Sequence, residues 1–285
     1  MAAEILALSA AFFFALSNVL ISKGLDKGTI LQAVFVSLLV NTAVLWTLSL
    51  AFVDLQLFMT TAIIWFILAG ILAPGLGRVF NFSAINHLGV SISSPIIGLS
   101  PLFSVLVSIV FLKEPFSLLI FGGIFLIILG IYILTLGRNH KKFDKKYLLL
   151  PLGAALFYGL AIPLNKLGLL NIGNPILAAT ITSTTSLFII LVYLSAVKGL
   201  KRLKLTRHAT TFYTLSGLAT VMAFTLHFTA LNLGNVSMIA PLVSTFPLFA
   251  VILSHLLLRH KERITLHVWL GALVVVSGVI VISIV

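Results

Sequence analysis

Ten apolar runs of roughly the length of a bilayer crossing follow one another along the chain, each closed by a short polar, glycine or proline cluster. They lie near residues 3–22, 30–52, 60–82, 89–112, 116–137, 147–168, 174–197, 208–230, 235–258 and 264–285. A helix of about 20 mainly apolar residues spans the hydrocarbon core, so the pattern predicts an all-α integral membrane protein with ten transmembrane helices and short connections. The stretch from Met1 has no basic leader and carries Glu4, so it reads as a retained first span and not as a cleaved signal.

The runs repeat. Ala10, Ala11, Phe13 and Leu16 recur as Ala154, Ala155, Phe157 and Leu160 at an offset of 144. Phe82, Ala84, Asn86, Ser91, Pro95, Pro101, Leu102 and Phe103 recur as Phe228, Ala230, Asn232, Ser237, Pro241, Pro247, Leu248 and Phe249 at an offset of 146. Lys113-Glu114, Gly123 and Gly130 return as Lys261-Glu262, Gly271 and Gly278 at an offset of 148. The expected organisation is a five-helix repeat over 1–137, a basic loop over 138–146 and a second five-helix repeat over 147–285. An odd number of crossings per copy turns the second copy upside down, an inverted repeat of the kind transporters build around a mid-membrane site.

Composition agrees. The chain is 60% hydrophobic and 8% charged, against roughly 45–50% apolar for soluble domains. Its mean hydropathy is +1.23. It has no cysteine, which excludes disulfides and thiolate chemistry. The net charge of +12 sits in loops between apolar runs, which points to lipid head groups and not to nucleic acid. Fifteen basic residues fall on one side: Lys23 and Lys27; Arg138, Lys141, Lys142, Lys145 and Lys146; Lys198, Lys201, Arg202, Lys204 and Arg207; Arg259, Lys261 and Arg263. The other side, which holds both termini, carries Lys113 and Lys166. The positive-inside rule then places the basic loops in the cytoplasm and both termini outside it, in a plasma or inner membrane.

No catalytic pattern is present: there is no His-Glu-x-x-His, Gly-x-Ser-x-Gly or P-loop, and the six acidic residues (Glu4, Asp26, Asp54, Glu114, Asp144, Glu262) lie at or near span ends. The chain is not expected to be an enzyme, and no metal or cofactor is implied. What remains are polar side chains at lipid depth, each costly unless it faces the bundle interior. Arg78, in Pro74-Gly75-Leu76-Gly77-Arg78, reads either as a partner for a substrate carboxylate or phosphate or as a residue snorkelling to the head groups. Asn81 shares its helical face, and the matching position in the second copy is His227, the one histidine placed well within a span. Asn18, and Asn165 with Lys166, come from corresponding spans, and Tyr158 lies on the face of Asn165. Each is a candidate cavity residue, with helix-to-helix hydrogen bonding as the alternative. The hydroxyl run from Thr180 to Ser186 is explained equally by packing.

Pro95 and Pro101, matched by Pro241 and Pro247, each remove a backbone donor and bend a span. Paired interruptions in equivalent spans are the sequence pointer to a transport site, and these four are the candidate hinges. The glycines at spacing seven in spans five and ten predict close helix packing between the halves.

Taken together, the stretch Gly77-Arg78 to Ala84-Ile85, the Ser91-x-x-x-Pro95 and Pro101-Leu102-Phe103 segment, the Lys113-Glu114 turn and the glycine-spaced fifth span resemble the EamA-like branch of the drug/metabolite transporter superfamily. All but the arginine are mirrored in the second half. The resemblance covers nearly the whole chain and implies two inverted five-helix repeats, a central cavity and secondary transport of small organic metabolites, often amino acids leaving the cell. Two departures stand out. Smaller multidrug-resistance relatives carry a membrane-embedded Glu in the first helix, where this chain reads Leu16-Ser17-Asn18, so proton coupling by that device is not expected. Family members are commonly drawn with both termini cytoplasmic, opposite to the charge count, which is followed here.

The leading expectation is therefore a transporter of small organic metabolites, exporting or exchanging them by alternating access, with Arg78, Asn81, Asn18, Tyr158, Asn165 and His227 as the site. The lipid bilayer and a small-molecule substrate are its expected partners, in a monomer or homodimer. A flippase or carrier for lipid-linked or nucleotide sugars would call for more cationic groups in the cavity than Arg78 and Lys166. A non-transporting scaffold leaves the arginine and the paired prolines without a purpose.

Overall fold

The structure is a computed structural model that describes residues 2–111, 145–196, 206–258 and 265–283, with residues 119, 122, 123, 125, 126, 129, 130 and 133 between. Most of the expected fifth span and of the basic 138–146 loop, and the Lys113-Glu114 and Lys261-Glu262 turns, lie outside the described residues. Regular structure among the described residues is all helical. The first half contains α1 (Ala2–Gly24), α2 (Ile30–Phe52), α3 (Ile63–Gly70), α4 (Gly77–Leu88), α5 (Val90–Ile97) and α6 (Ser100–Phe111). The second contains α7 (Leu149–Ile172), α8 (Pro175–Ala196), α9 (Arg207–Leu233), α10 (Val236–Val243), α11 (Phe246–Leu257) and α12 (Leu266–Ser283).

Seven segments are long and apolar enough to cross a membrane: 2–24, 30–52, 63–88, 90–110, 146–172, 175–196 and 207–233. Shorter apolar helices follow at 246–257 and 266–278. Large apolar side chains stay exposed along the outer faces, among them Ile5, Leu50, Phe188 and Leu215, as lipid-facing residues do and the surface of a soluble monomer does not.

Local chemistry sets the ends. Thr29 and Gln32 form a reciprocal capping box at the start of α2, the Thr29 hydroxyl accepting from Gln32 N at 3.3 Å and the Gln32 side chain from Thr29 N at 2.8 Å. The turn between α4 and α5 rests on Gly89 at φ 80°, which a Cβ would strain.

The halves meet along hydroxyl seams. Ser17 on α1 bonds Ser216 at 2.7 Å and Thr220 at 3.0 Å on α9. Between α2 and α8, Ser49 bonds Thr180 at 2.7 Å, Ser183 donates to Asn41 at 2.7 Å, and Trp46 donates to Thr184 at 3.0 Å. Much of the Thr180–Ser186 run thus serves helix packing, each bond worth roughly 0.6 kcal/mol in a membrane bundle. At Gly130, an added Cβ would stand 2.7 Å from Val275 N and 2.8 Å from Gly271 O, the close backbone approach that the glycine spacing predicts.

Candidate functional site

Three helical rods are broken partway along their length, and the breaks converge. Between α5 and α6 the chain turns at Gly98-Leu99, and between α10 and α11 at Ser244-Thr245, positions related by the offset of 146. Pro101 and Pro247 lack the N–H that a helix would direct to the carbonyls of Ile97 and Val243 four residues back, and both of those residues line the same cavity. The breaks also touch: Ser100 and Ser244 hydroxyls are 3.4 Å apart, and a Cβ on Gly98 would lie 3.1 Å from the Pro247 ring.

The third break has no counterpart in the second half. Between α3 and α4 the helix is broken by a kink over Ile71–Leu76, where Ala73 is extended at φ −145° and ψ 123° before Pro74. Gly77 N bonds to Leu72 O across the kink. The equivalent stretch of α9 runs unbroken from Arg207 to Leu233. The local signal, Pro74-Gly75 inside an apolar run, was visible in the sequence, but the pairing of prolines drew attention to the other two spans.

These breaks enclose a cavity of about 920 Å³, counting the space at its mouth. All six candidate residues line it: Asn18 from α1, Arg78 and Asn81 from α4, Tyr158 and Asn165 from α7 and His227 from α9. Arg78 is 4% exposed and turns inward, so it does not snorkel. Its Nη1 donates to Ser37 at 3.4 Å, and its guanidinium lies 5.9 Å from the ring centres of both Phe82 and Phe224, within cation–π range. No carboxylate lines the cavity among the described residues. A buried cation held by rings and a hydroxyl keeps its positive field for whatever enters.

Asn81 donates to Asn18 at 3.1 Å and to the Tyr158 hydroxyl at 3.4 Å, tying α4 to α1 and to the second half. Because the Tyr158 oxygen accepts, its own hydrogen remains available to donate. Three polar atoms of lining residues are buried and have no hydrogen-bond partner among the described residues: Asn81 Oδ1, Asn165 Oδ1 and His227 Nδ1. Unpartnered buried polar atoms are costly, and a ligand toward which these side chains turned would satisfy them. Lys166, next to Asn165, is not part of the lining. Its Nζ donates to Leu231 O and Gly234 O, both at 2.9 Å, at the C-terminal end of α9, where cations are favoured.

The lining is built in matched pairs across the halves. At the offset of 146, Arg78 pairs with Phe224, Asn81 with His227, Ile97 with Val243 and Ser100 with Phe246; at 144, Asn18 pairs with Ile162 and Phe14 with Tyr158. Equivalent positions thus meet around one chamber while their chemistry differs. The phenylalanine members were not singled out from the sequence as site residues, although extending the repeat offset from Asn81 and His227 to Arg78 would have found Phe224.

Comparisons with known proteins follow the same outline. A family model described as the EamA-like transporter family matches residues 1–136 and 145–284. A protein known from a crystal structure, 16% identical, superposes with a TM-score of 0.72 over 98% of this chain and 95% of that one, a likeness of fold. The comparison with curated proteins found no match.

Proposed function

The chain belongs to the EamA-like transporter family, a family of membrane transporters, and from that premise we propose that it carries small organic metabolites, amino acids or related compounds, by alternating access of two inverted five-helix repeats, 1–137 and 147–285, joined by the basic loop. Ten crossings are reached by adding the span near 116–137 and the two shorter apolar helices to the seven long ones. Arg78, Asn81, Asn18, Tyr158, Asn165 and His227 bind the substrate, and Pro95, Pro101, Pro241 and Pro247 mark the hinges. Export or exchange is the proposed direction, with the basic loops cytoplasmic.

The observation that carries this reading is Arg78: a guanidinium buried within an apolar span, facing a cavity without a counter-charge among the described residues. Such a group is expensive in a bilayer protein, by about 2.5–3.5 kcal/mol on insertion scales, and marks a substrate path. A flippase or carrier for lipid-linked or nucleotide sugars is less well supported, because Lys166, the second cation it would use, is turned into the wall. Counterflow in proteoliposomes loaded with a metabolite mixture tests the proposal: the wild-type protein should exchange at least one component and Arg78→Ala should abolish that exchange. Full activity in the variant would remove Arg78 from the site, and no exchange of any component by the wild type would remove transport.

A further inference from the structure

Equivalent positions of the two halves carry different chemistry in the cavity. Arg78, Asn18 and Ser100 of the first stand where the second has Phe224, Ile162 and Phe246, while the second adds Tyr158, Asn165 and His227. A chamber that holds one cation, neutral polar groups from both halves and the rings of Phe82, Phe224 and Phe246 is complementary to an amphiphile with a charged head and an apolar body. Its charge balance is one-sided. Arg78 contributes a permanent positive charge, and no Asp or Glu among the described residues faces it. An anionic head is therefore matched, whereas an ammonium would sit near a guanidinium with only neutral acceptors to receive it, a poor exchange for its lost hydration. The side-chain amides of Asn81 and Asn165, two of the lining residues, suit an uncharged N–H or O–H.

Resting on the transport reading above, we infer that the preferred substrates are monoanionic carboxylates with an apolar or aromatic body and a neutral hydrogen-bond donor near the carboxylate, such as N-acylated amino acids or aromatic 2-hydroxy acids, in preference to the zwitterionic amino acids themselves. The carboxylate lies against Arg78, the donor against the asparagine oxygens and the body against Phe224 and Phe246.

A matched series isolates the charge. In proteoliposomes at neutral pH, phenyllactate and N-acetylphenylalanine should each support counterflow about tenfold or more better than phenylalanine, the cost of leaving an ammonium without a counter-charge. Arg78→Lys, which keeps the charge, should retain the order of preference. Phe246→Ala should weaken phenyllactate exchange relative to lactate, which lacks the ring. Phenylalanine exchanged as well as phenyllactate by the wild-type protein would overturn the inference, as would failure of both monoanions in vesicles that exchange other metabolites. In either case exchange of some other compound leaves the transport reading standing, and only vesicles inert to the whole metabolite mixture would end both.

Discussion

The Oγ of Ser186 on α8 lies 2.6 Å from the carbonyl oxygen of Gly70, the last residue of α3 and the one four places before Pro74. Proline cannot donate to that carbonyl, and a hydroxyl from the other half of the molecule does so. The bond ties the kink between α3 and α4, and with it the approach to Arg78, to the opposite repeat. Ser186→Ala should therefore lower the unfolding free energy by about 1–3 kcal/mol, the penalty for removing a partner from a buried polar group, and weaken transport without touching the cavity lining. A thermal melt and a counterflow assay with unchanged values would show that the kink holds by itself.

Lys166→Met keeps the apolar stem and removes the charge-assisted bonds to Leu231 O and Gly234 O. Stability should fall by about 1.5–3 kcal/mol, as for hydrogen bonds to charged groups, while the KM for substrate stays within about twofold of wild type because substrate contacts are untouched. A large KM change with an unaltered melting temperature would instead place Lys166 in the cavity.

Pro101→Ala and Pro247→Ala together restore the N–H groups facing the carbonyls of Ile97 and Val243. With both breaks stiffened, exchange should slow by about tenfold, a barrier increase of about 1.4 kcal/mol, while equilibrium binding of the substrate persists. Exchange at the wild-type rate would relegate these prolines to static kinks.

Because the chain contains no cysteine, single cysteines report orientation cleanly. Ala2→Cys should react with an impermeant thiol reagent in intact cells and Lys142→Cys should react only after permeabilisation. Labelling in the reverse order would invert the topology and contradict the positive-inside count.

Membrane residence, the repeat and the identity of the polar residues at depth were legible before any coordinates. The reason is physical: hydrocarbon accepts only long apolar helices, so spans appear as runs, and polar groups within them must face one another or a cavity. On that ground Asn18, Arg78, Asn81, Tyr158, Asn165 and His227 could be grouped, and they line one chamber. The same logic grouped Asn165 with Lys166, and there it stopped short. The acceptors of Lys166 lie 65 and 68 residues away, and nothing in the local pattern says which of two adjacent polar residues turns inward.

Contacts of this kind, between helices far apart in the chain, were settled by packing alone. Packing placed Ser186 under Gly70, beside the kink before Arg78, and brought Arg78 against Phe224, its own equivalent in the other repeat. It also set unlike side chains at equivalent places around one chamber, since the duplicated backbone fixes where equivalent side chains meet and the divergence of the two copies fixes what they are.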